Sequence, residues 1–209
     1  MTSRTLRVQI LAFDEVEALD FCGPFEVFTT ASRVHGRQHG VEPPLFDVKS
    51  VAAEHAVRAR AGLRLLADHS LADAPPADVL VVPGGVVDGA LASAETLAWV
   101  AAQARNTRIT ASVCTGAFLL AASGVLQGNA RVTTHWEDIG DLRAKFPALD
   151  VVQDVRWVDN GRIVTSAGIS AGIDMSLHLV ERLAGRDLAL RTARQMDFAW
   201  TTNPGNPSA

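Results

Sequence analysis

The side chain best placed for chemistry is the thiol of Cys114, in the stretch ITASVCTGAFLLAAS at residues 109–123. Residues 109–113 are apolar and rich in β-branched side chains. Residues 116–122 form a helix-favouring run, so the period changes from strand-like to helix-like within about two residues. Cys114 sits on that junction. A tight strand-to-helix turn lifts such a side chain clear of the sheet edge, the geometry of a nucleophile elbow with sulfur in place of a hydroxyl. The first N–H groups of the helix lie beneath the sulfur and favour thiolate over thiol. Gly116 leaves room for the crowded turn. The plainer reading, a small buried hydrophobe, stands beside this one.

Other residues suit a site around such a sulfur. Asp20 stands between Leu19 and Phe21. An acid in apolar surroundings tends to keep its proton and so can donate it; a first-turn helix acid is the simpler role, and the two are compatible. Gly84 and Gly85 follow the apolar run VLVV and Pro83, where bare backbone N–H groups can form an oxyanion or anion pocket, or only a turn. Thr115 offers its N–H to developing charge and its hydroxyl to substrate or water. His135 follows one predicted strand and precedes a helix, placed either to pair with the thiolate or to serve as a structural hydrogen-bonding residue. Glu26 is a second carboxylate, more simply a solvent-facing helix residue. No CxxC, HExxH or paired-histidine spacing points to a metal. The glycine pattern matches neither a dinucleotide fingerprint nor a phosphate loop.

The elements that must position these residues alternate. Strands are expected at residues 6–13, 45–52, 79–82, 109–113, 130–134, 151–155 and 163–166, with hairpin pieces at 54–66. Helices are expected at 18–32, 90–104, 116–122, 137–146, 168–184 and 187–198, and a loop at 35–44. Pro24 is tolerated near the start of its helix. Such alternation predicts an α/β fold, a mostly parallel sheet with helices on both faces. No linker or repeat divides residues 1–209, which read as one domain with a frayed tail from about 201.

Composition narrows the functional classes. The chain has 209 residues, 48% hydrophobic and 20% charged, with formal charge -4. It therefore lacks the basic footprint of a nucleic-acid or anionic-membrane binder. No apolar run approaches the ~20 residues of a membrane span, and the N-terminus enters a strand without a signal-peptide pattern. The two cysteines, Cys22 and Cys114, are expected to be reduced thiols in a cytoplasmic protein.

Five ordered motifs carry a resemblance: Leu19-Asp20-Phe21-Cys22-Gly23-Pro24-Phe25-Glu26-Val27-Phe28, Val82-Pro83-Gly84-Gly85, Ser112-Val113-Cys114-Thr115-Gly116-Ala117, Thr133-Thr134-His135-Trp136 and Thr165-Ser166-Ala167-Gly168. Together they resemble the ThiJ/PfpI superfamily over nearly the whole chain. The resemblance implies a flavodoxin-like three-layer sandwich, a homodimer and a reactive cysteine at the elbow. The chain is most similar to the isonitrile hydratase branch, in which water adds to an isonitrile to give an N-substituted formamide. Thr115 stands where the protease and glyoxalase branches commonly place histidine. On this reading Cys114 attacks the terminal isonitrile carbon and Asp20 supplies the proton, giving a thioimidate that water, guided by Asp20 and Thr115, resolves. Gly84, Gly85, His135, Gly168 and Ile169 would line the site of a small-molecule substrate. No metal or organic cofactor is required. The same motifs occur in the amidotransferase-like domain of AraC-type regulators. A non-catalytic or redox-sensing binding protein is therefore the alternative, although the sequence to Ala209 leaves no room for a DNA-binding domain.

Overall fold

The computed structural model describes residues 4–40 and 43–202. The chain opens with β1 (Leu6–Leu11) and α1 (Ala18–His39). It continues through β2 (Phe46–Ala52), the hairpin β3 (Ala56–Arg58) and β4 (Arg64–Leu66), the edge strand β5 (His69–Ser70) and β6 (Val79–Val82). Helices α2 (Asp88–Ala92) and α3 (Ala94–Asn106) lead to β7 (Ile109–Val113) and α4 (Gly116–Ala122). The remainder comprises β8 (Arg131–Val132), α5 (Ile139–Lys145), β9 (Asp150–Val151), β10 (Trp157–Asp159), β11 (Ile163–Ser166), α6 (Ala171–Ala184) and α7 (Arg186–Gln195).

Seven strands form the central sheet in the order β10-β11-β7-β6-β1-β2-β5. All its pairs are parallel except the edge pair β10–β11. Every residue of β6 and β7 is buried, Thr110 and Ser112 of β7 included, which is why β6 reads as an unbroken apolar run: a parallel sheet covered on both faces has no solvent side. Helices α1, α6 and α7 pack together, with α1 on β1 and β2. Helices α2, α3 and α4 form a second group, with α4 on β6 and β7. The expected flavodoxin-like α/β sandwich is therefore present.

The register sets the neighbouring strand ends level. Val82 pairs with Ser112, and Val113 with Ser166. The loops leaving β6, β7 and β11 consequently emerge side by side at the carboxyl edge, where open α/β sheets bind ligands.

Several boundaries differ from the sequence expectation. α1 runs on to His39 through the first half of the expected 35–44 loop, because Ala31 and Val34 continue its buried face. It stops at Gly40, whose φ of 60° suits a helix C-cap; residues 41 and 42 lie outside the described residues. Pro24 falls in the second turn of α1, where it cannot donate to the carbonyl of Asp20. The helix expected at 90–104 is two helices, broken at Ser93, whose hydroxyl accepts the Thr96 N–H and starts α3. The strands expected at 130–134 and 151–155 shorten to β8 and β9, which pair with each other outside the central sheet. β10 was not expected, and it supplies the antiparallel edge. α6 starts at Ala171, leaving residues 168–170 as a loop against the site. At the start of the tail expected to fray from about residue 201, the Thr201 N–H donates to Asp174 at 2.7 Å. Residues 203–209 lie outside the described residues.

The crossing of α4 over β6 depends on one missing side chain. A Cβ at Gly116 would stand 2.1 Å from the Val82 carbonyl oxygen and 2.8 Å from that of Pro83. Backbone cannot yield as a side-chain tip does. Gly116→Ala is expected to cost about 3 kcal/mol, lowering Tm by roughly 6–12 °C in a thermal melt.

Candidate active site

Cys114 occupies the two-residue turn between β7 and α4 with φ of 55°. That left-handed conformation costs a non-glycine residue about 1 kcal/mol or more and persists only where surrounding structure enforces it. Here the Cys114 N–H donates to the Ser166 carbonyl at 3.1 Å, and the Thr134 hydroxyl donates to the Cys114 carbonyl at 2.8 Å. The end of β11 and the segment after β8 thus hold the elbow from both sides.

Asp20, in the first turn of α1, is fully buried. Its Oδ2 accepts the Gly84 N–H at 3.2 Å, and Oδ1 is buried without a hydrogen bond. The Cys114 thiol faces this carboxyl and favours its charged form. Burial dominates, pushing the Asp20 carboxyl from 3.8 up to about 7; the thiol and the Gly84 N–H oppose the shift and Glu17 adds to it. The thiol moves the same way. Burial first, then the charge of Asp20, push Cys114 well above the ordinary thiol range, against the pull of the Thr115 N–H. This corrects the expectation of a thiolate stabilised by the helix start. α4 has only seven residues, and the sulfur sits on a residue only 7% exposed. A helix end contributes about 1 kcal/mol at most sites, less than desolvating an anion costs.

The glycine loop has a different job from the one expected. The Gly84 N–H is engaged by Asp20, and the Gly85 N–H donates to Thr115 Oγ1 at 2.9 Å. Neither is a free oxyanion donor. The Thr115 hydroxyl in turn donates to the Gly85 carbonyl at 2.9 Å, so its proton is also committed. What remains directed at the sulfur is the Thr115 backbone N–H. The Glu17 N–H donates to the Gly84 carbonyl at 2.8 Å, and the Val86 N–H to that of Glu15 at 3.0 Å. These bonds tie the start of α1 to the loop after β6 and so bring Asp20 to Cys114. A Cβ at Gly84 would lie 2.5 Å from the Thr115 nitrogen and 2.9 Å from Asp20 Oδ2. The close approach therefore requires glycine.

His135 and Gly168 do converge on the sulfur. A Cβ at Gly168 would stand 2.6 Å from Cys114 Sγ and 2.7 Å from His135 Nδ1. His135 Nδ1 is buried without a partner, and Nε2 lies 3.3 Å from Glu137 Oε2. Ile169, next along, is 38% exposed. Glu26 lies away from this group, bound to Thr30 and Arg33 along α1.

Two residues had no sequence signal beyond their type. Asp138, read only as part of a helix, has its carboxyl pushed up, mainly by burial, and its charge acts on Cys114. It lines a cavity of about 640 Å3 with Gly85, Val86, Leu91, Thr115 and Phe118. Arg156, in a stretch read as strand and turn, bonds Asp174 and Ser170. Among the described residues no group of three or more His, Cys, Asp or Glu could hold a metal ion, and no helix is long and apolar enough to cross a membrane.

Comparison with known proteins gives this geometry a context. The model of the DJ-1/PfpI family matches residues 6–182. The sequence is 37% identical over 195 residues to isonitrile hydratase of Pseudomonas putida, covering 93% of this chain and 79% of that protein. It is 30% identical over 183 residues to the HTH-type transcriptional regulator GbdR of Pseudomonas aeruginosa, covering 87% of this chain but 48% of the regulator. Among solved structures, a ThiJ/PfpI family protein from Pseudomonas syringae superposes with a TM-score of 0.81 at 27% identity, covering 99% of this chain and 80% of that one. Drosophila melanogaster DJ-1beta superposes with a TM-score of 0.78 at 21% identity, covering 94% of this chain and all of that one, a likeness of fold.

The raised Asp20 carboxyl makes stability depend on pH. A folded-state value near 7 against 3.8 means the native state binds the extra proton between those limits, so stability declines as pH rises from about 4 to about 7 and then levels. Asp20→Asn removes the buried charge while keeping an acceptor for Gly84. Its Tm is expected to exceed that of the unsubstituted protein above pH 7, with the gain shrinking towards pH 4 in a series of melts.

Proposed function

The chain belongs to the DJ-1/PfpI family, and from that premise we propose that it hydrates isonitriles to N-substituted formamides through Cys114. The observation that carries this reading is the pairing of the elbow thiol with a buried carboxyl whose proton is held to about pH 7. The similarity to isonitrile hydratase over most of both chains supports it.

The reaction needs one proton moved twice. An isonitrile carbon must gain sulfur and hydrogen at the same atom. With Asp20 as carboxylate, the thiol passes its proton to Asp20 as sulfur attacks the terminal carbon, and Asp20 delivers that proton to the same carbon. The S–H bond breaks, C–S and C–H bonds form, and the product is a thioimidate. Water then adds its oxygen to that carbon and a proton to nitrogen. The tetrahedral adduct collapses with C–S cleavage, and the hydroxyl proton returns through Asp20 to sulfur. The sum is isonitrile plus water giving formamide. The Thr115 N–H, already directed at the sulfur, steadies charge there during attack and departure. Acid–base assistance of this kind contributes roughly 10²–10⁴-fold. The cavity beside Thr115 is where the isonitrile substituent would sit.

A second reading has its own support: GbdR matches most of this chain, and a sulfur so little exposed also suits a ligand-sensing pocket. It predicts saturable binding without product.

Incubating the protein with an alkyl isonitrile and following formamide by mass spectrometry separates the two. Turnover should be lost in Cys114→Ala, and persistence there would sink the covalent route. Because the active pair carries one proton, kcat/KM is expected to rise with pH through about 7. Asp20→Asn should lower the rate roughly 10²-fold or more and abolish that rise; a Tm at least equal to the parent's would exclude misfolding as the cause.

A further inference from the structure

The geometry points to Arg156 as a positioning residue that clamps the segment 167–170 over the Cys114 sulfur and thereby governs access to it. This deepens the proposed site and rests on Cys114 being its reacting group.

The segment reaches the sulfur at Gly168, where even a Cβ would come within 2.6 Å of Sγ. Within residues 167–170 the chain makes no regular secondary structure, and both Ile169 and Ser170 are exposed. Something must hold it down. Arg156 touches it at both ends. The Arg156 carbonyl accepts the Ala167 N–H at 2.9 Å, continuing the β10–β11 pairing one residue beyond the strands. Its guanidinium donates to Ser170 Oγ at 3.3 Å. The same guanidinium is anchored from below: Nε donates to Asp174 Oδ2 at 2.6 Å, and Nη2 contacts that oxygen too. Asp174 is 1% exposed and sits in α6, so the clamp is fastened to the core. Its other oxygen takes the Thr201 N–H, and its carbonyl takes the Trp200 indole N–H. The planar fork explains the choice of arginine, since one lysine ammonium cannot serve Asp174 and Ser170 in this fixed geometry.

The segment is also the wall between the sulfur and a second cavity of about 330 Å3, lined by Trp136, Arg156 and Gly168 among others. Loosening the clamp would bring solvent or reagent towards Sγ from that side. Backbone bonding from Arg156 survives any substitution, so the side chain's share is the hold on Ser170 and Asp174.

The test is the rate of iodoacetamide alkylation of Cys114, read by mass spectrometry on its tryptic peptide, which separates it from the exposed Cys22. Ser170→Ala removes only the far end of the clamp. Arg156→Lys keeps a charge for Asp174 but loses the fork. Both are expected to alkylate about fivefold faster, the factor that one such hydrogen bond contributes, with Tm unchanged for Ser170→Ala. Arg156→Ala should be faster still, but it strands a buried carboxylate, so the two milder variants decide if it fails to fold. Rates equal to the parent's in both would overturn the clamp, as would acceleration that merely tracks a fall in Tm. Faster alkylation in a protein that turns over no isonitrile would uphold the clamp and reject the hydratase reading alone.

Discussion

The site depends on two acids buried side by side. Burial raises Asp20 from 3.8 to about 7, a penalty of roughly 4 kcal/mol on its charged form. The same burial, with the charge of Asp20, drives the Cys114 thiol upward. A helix N-terminus offers about 1 kcal/mol in return, so desolvation wins and the resting sulfur keeps its proton. The pair is better described by how many protons it holds than by which residue holds them. Between the loss of its first and second protons it carries one. An addition that must place sulfur and hydrogen on one carbon needs that inventory.

Positioning the pair is a backbone problem solved by omission of side chains. Asp20 arrives on α1, from between β1 and β2; Cys114 arrives at the end of β7. They meet because the segment before α1 is hydrogen-bonded to the loop after β6. That loop can pass between them only as glycine, since at Gly84 a Cβ would strike Thr115 and approach Asp20; in the separate loop after β11, a Cβ at Gly168 would strike the sulfur and His135. Thr115 then fixes Gly85 in both directions through one hydroxyl. The loop's N–H groups are therefore structural ties, and the free donor at the sulfur comes from the elbow itself.

What was legible in the sequence follows the same physics. The apolar runs of β6 and β7 announced buried parallel strands, and the abrupt change of period at Cys114 announced the turn. Asp20 between Leu19 and Phe21 announced a carboxyl in apolar surroundings, and burial is the cause of its shift. The errors were where periodicity carries no information. The continuation of α1 past residue 32 depends on tertiary burial of Ala31 and Val34, and β8 and β9 depend on finding each other across 17 residues of chain. Whether a glycine N–H is free or engaged cannot be read from Pro83-Gly84-Gly85, because its partners, Asp20 and Thr115, come from elsewhere in the chain. Arg156 and Asp174 were invisible for the same reason: an arginine in a loop and an aspartate in a helix become a linkage only once α6 lies beside the start of β10.

The relatives share this scaffold and differ in what they do, as expected when function lives in a site grafted on a fold. An isonitrile hydratase and a transcriptional regulator both match most of this chain. In this chain the features that bear on the choice between the two readings are small: the proton content of Asp20 and Cys114, and how firmly residues 167–170 lie over the sulfur. A closed, fully protonated pair favours holding a ligand; a pair with one mobile proton and a reachable sulfur favours reacting with it. Since burial sets both the proton content and the access, the segment 167–170 bears on the two together. On the proposed reading, what this chain does at Cys114 then follows from how deeply that sulfur is kept.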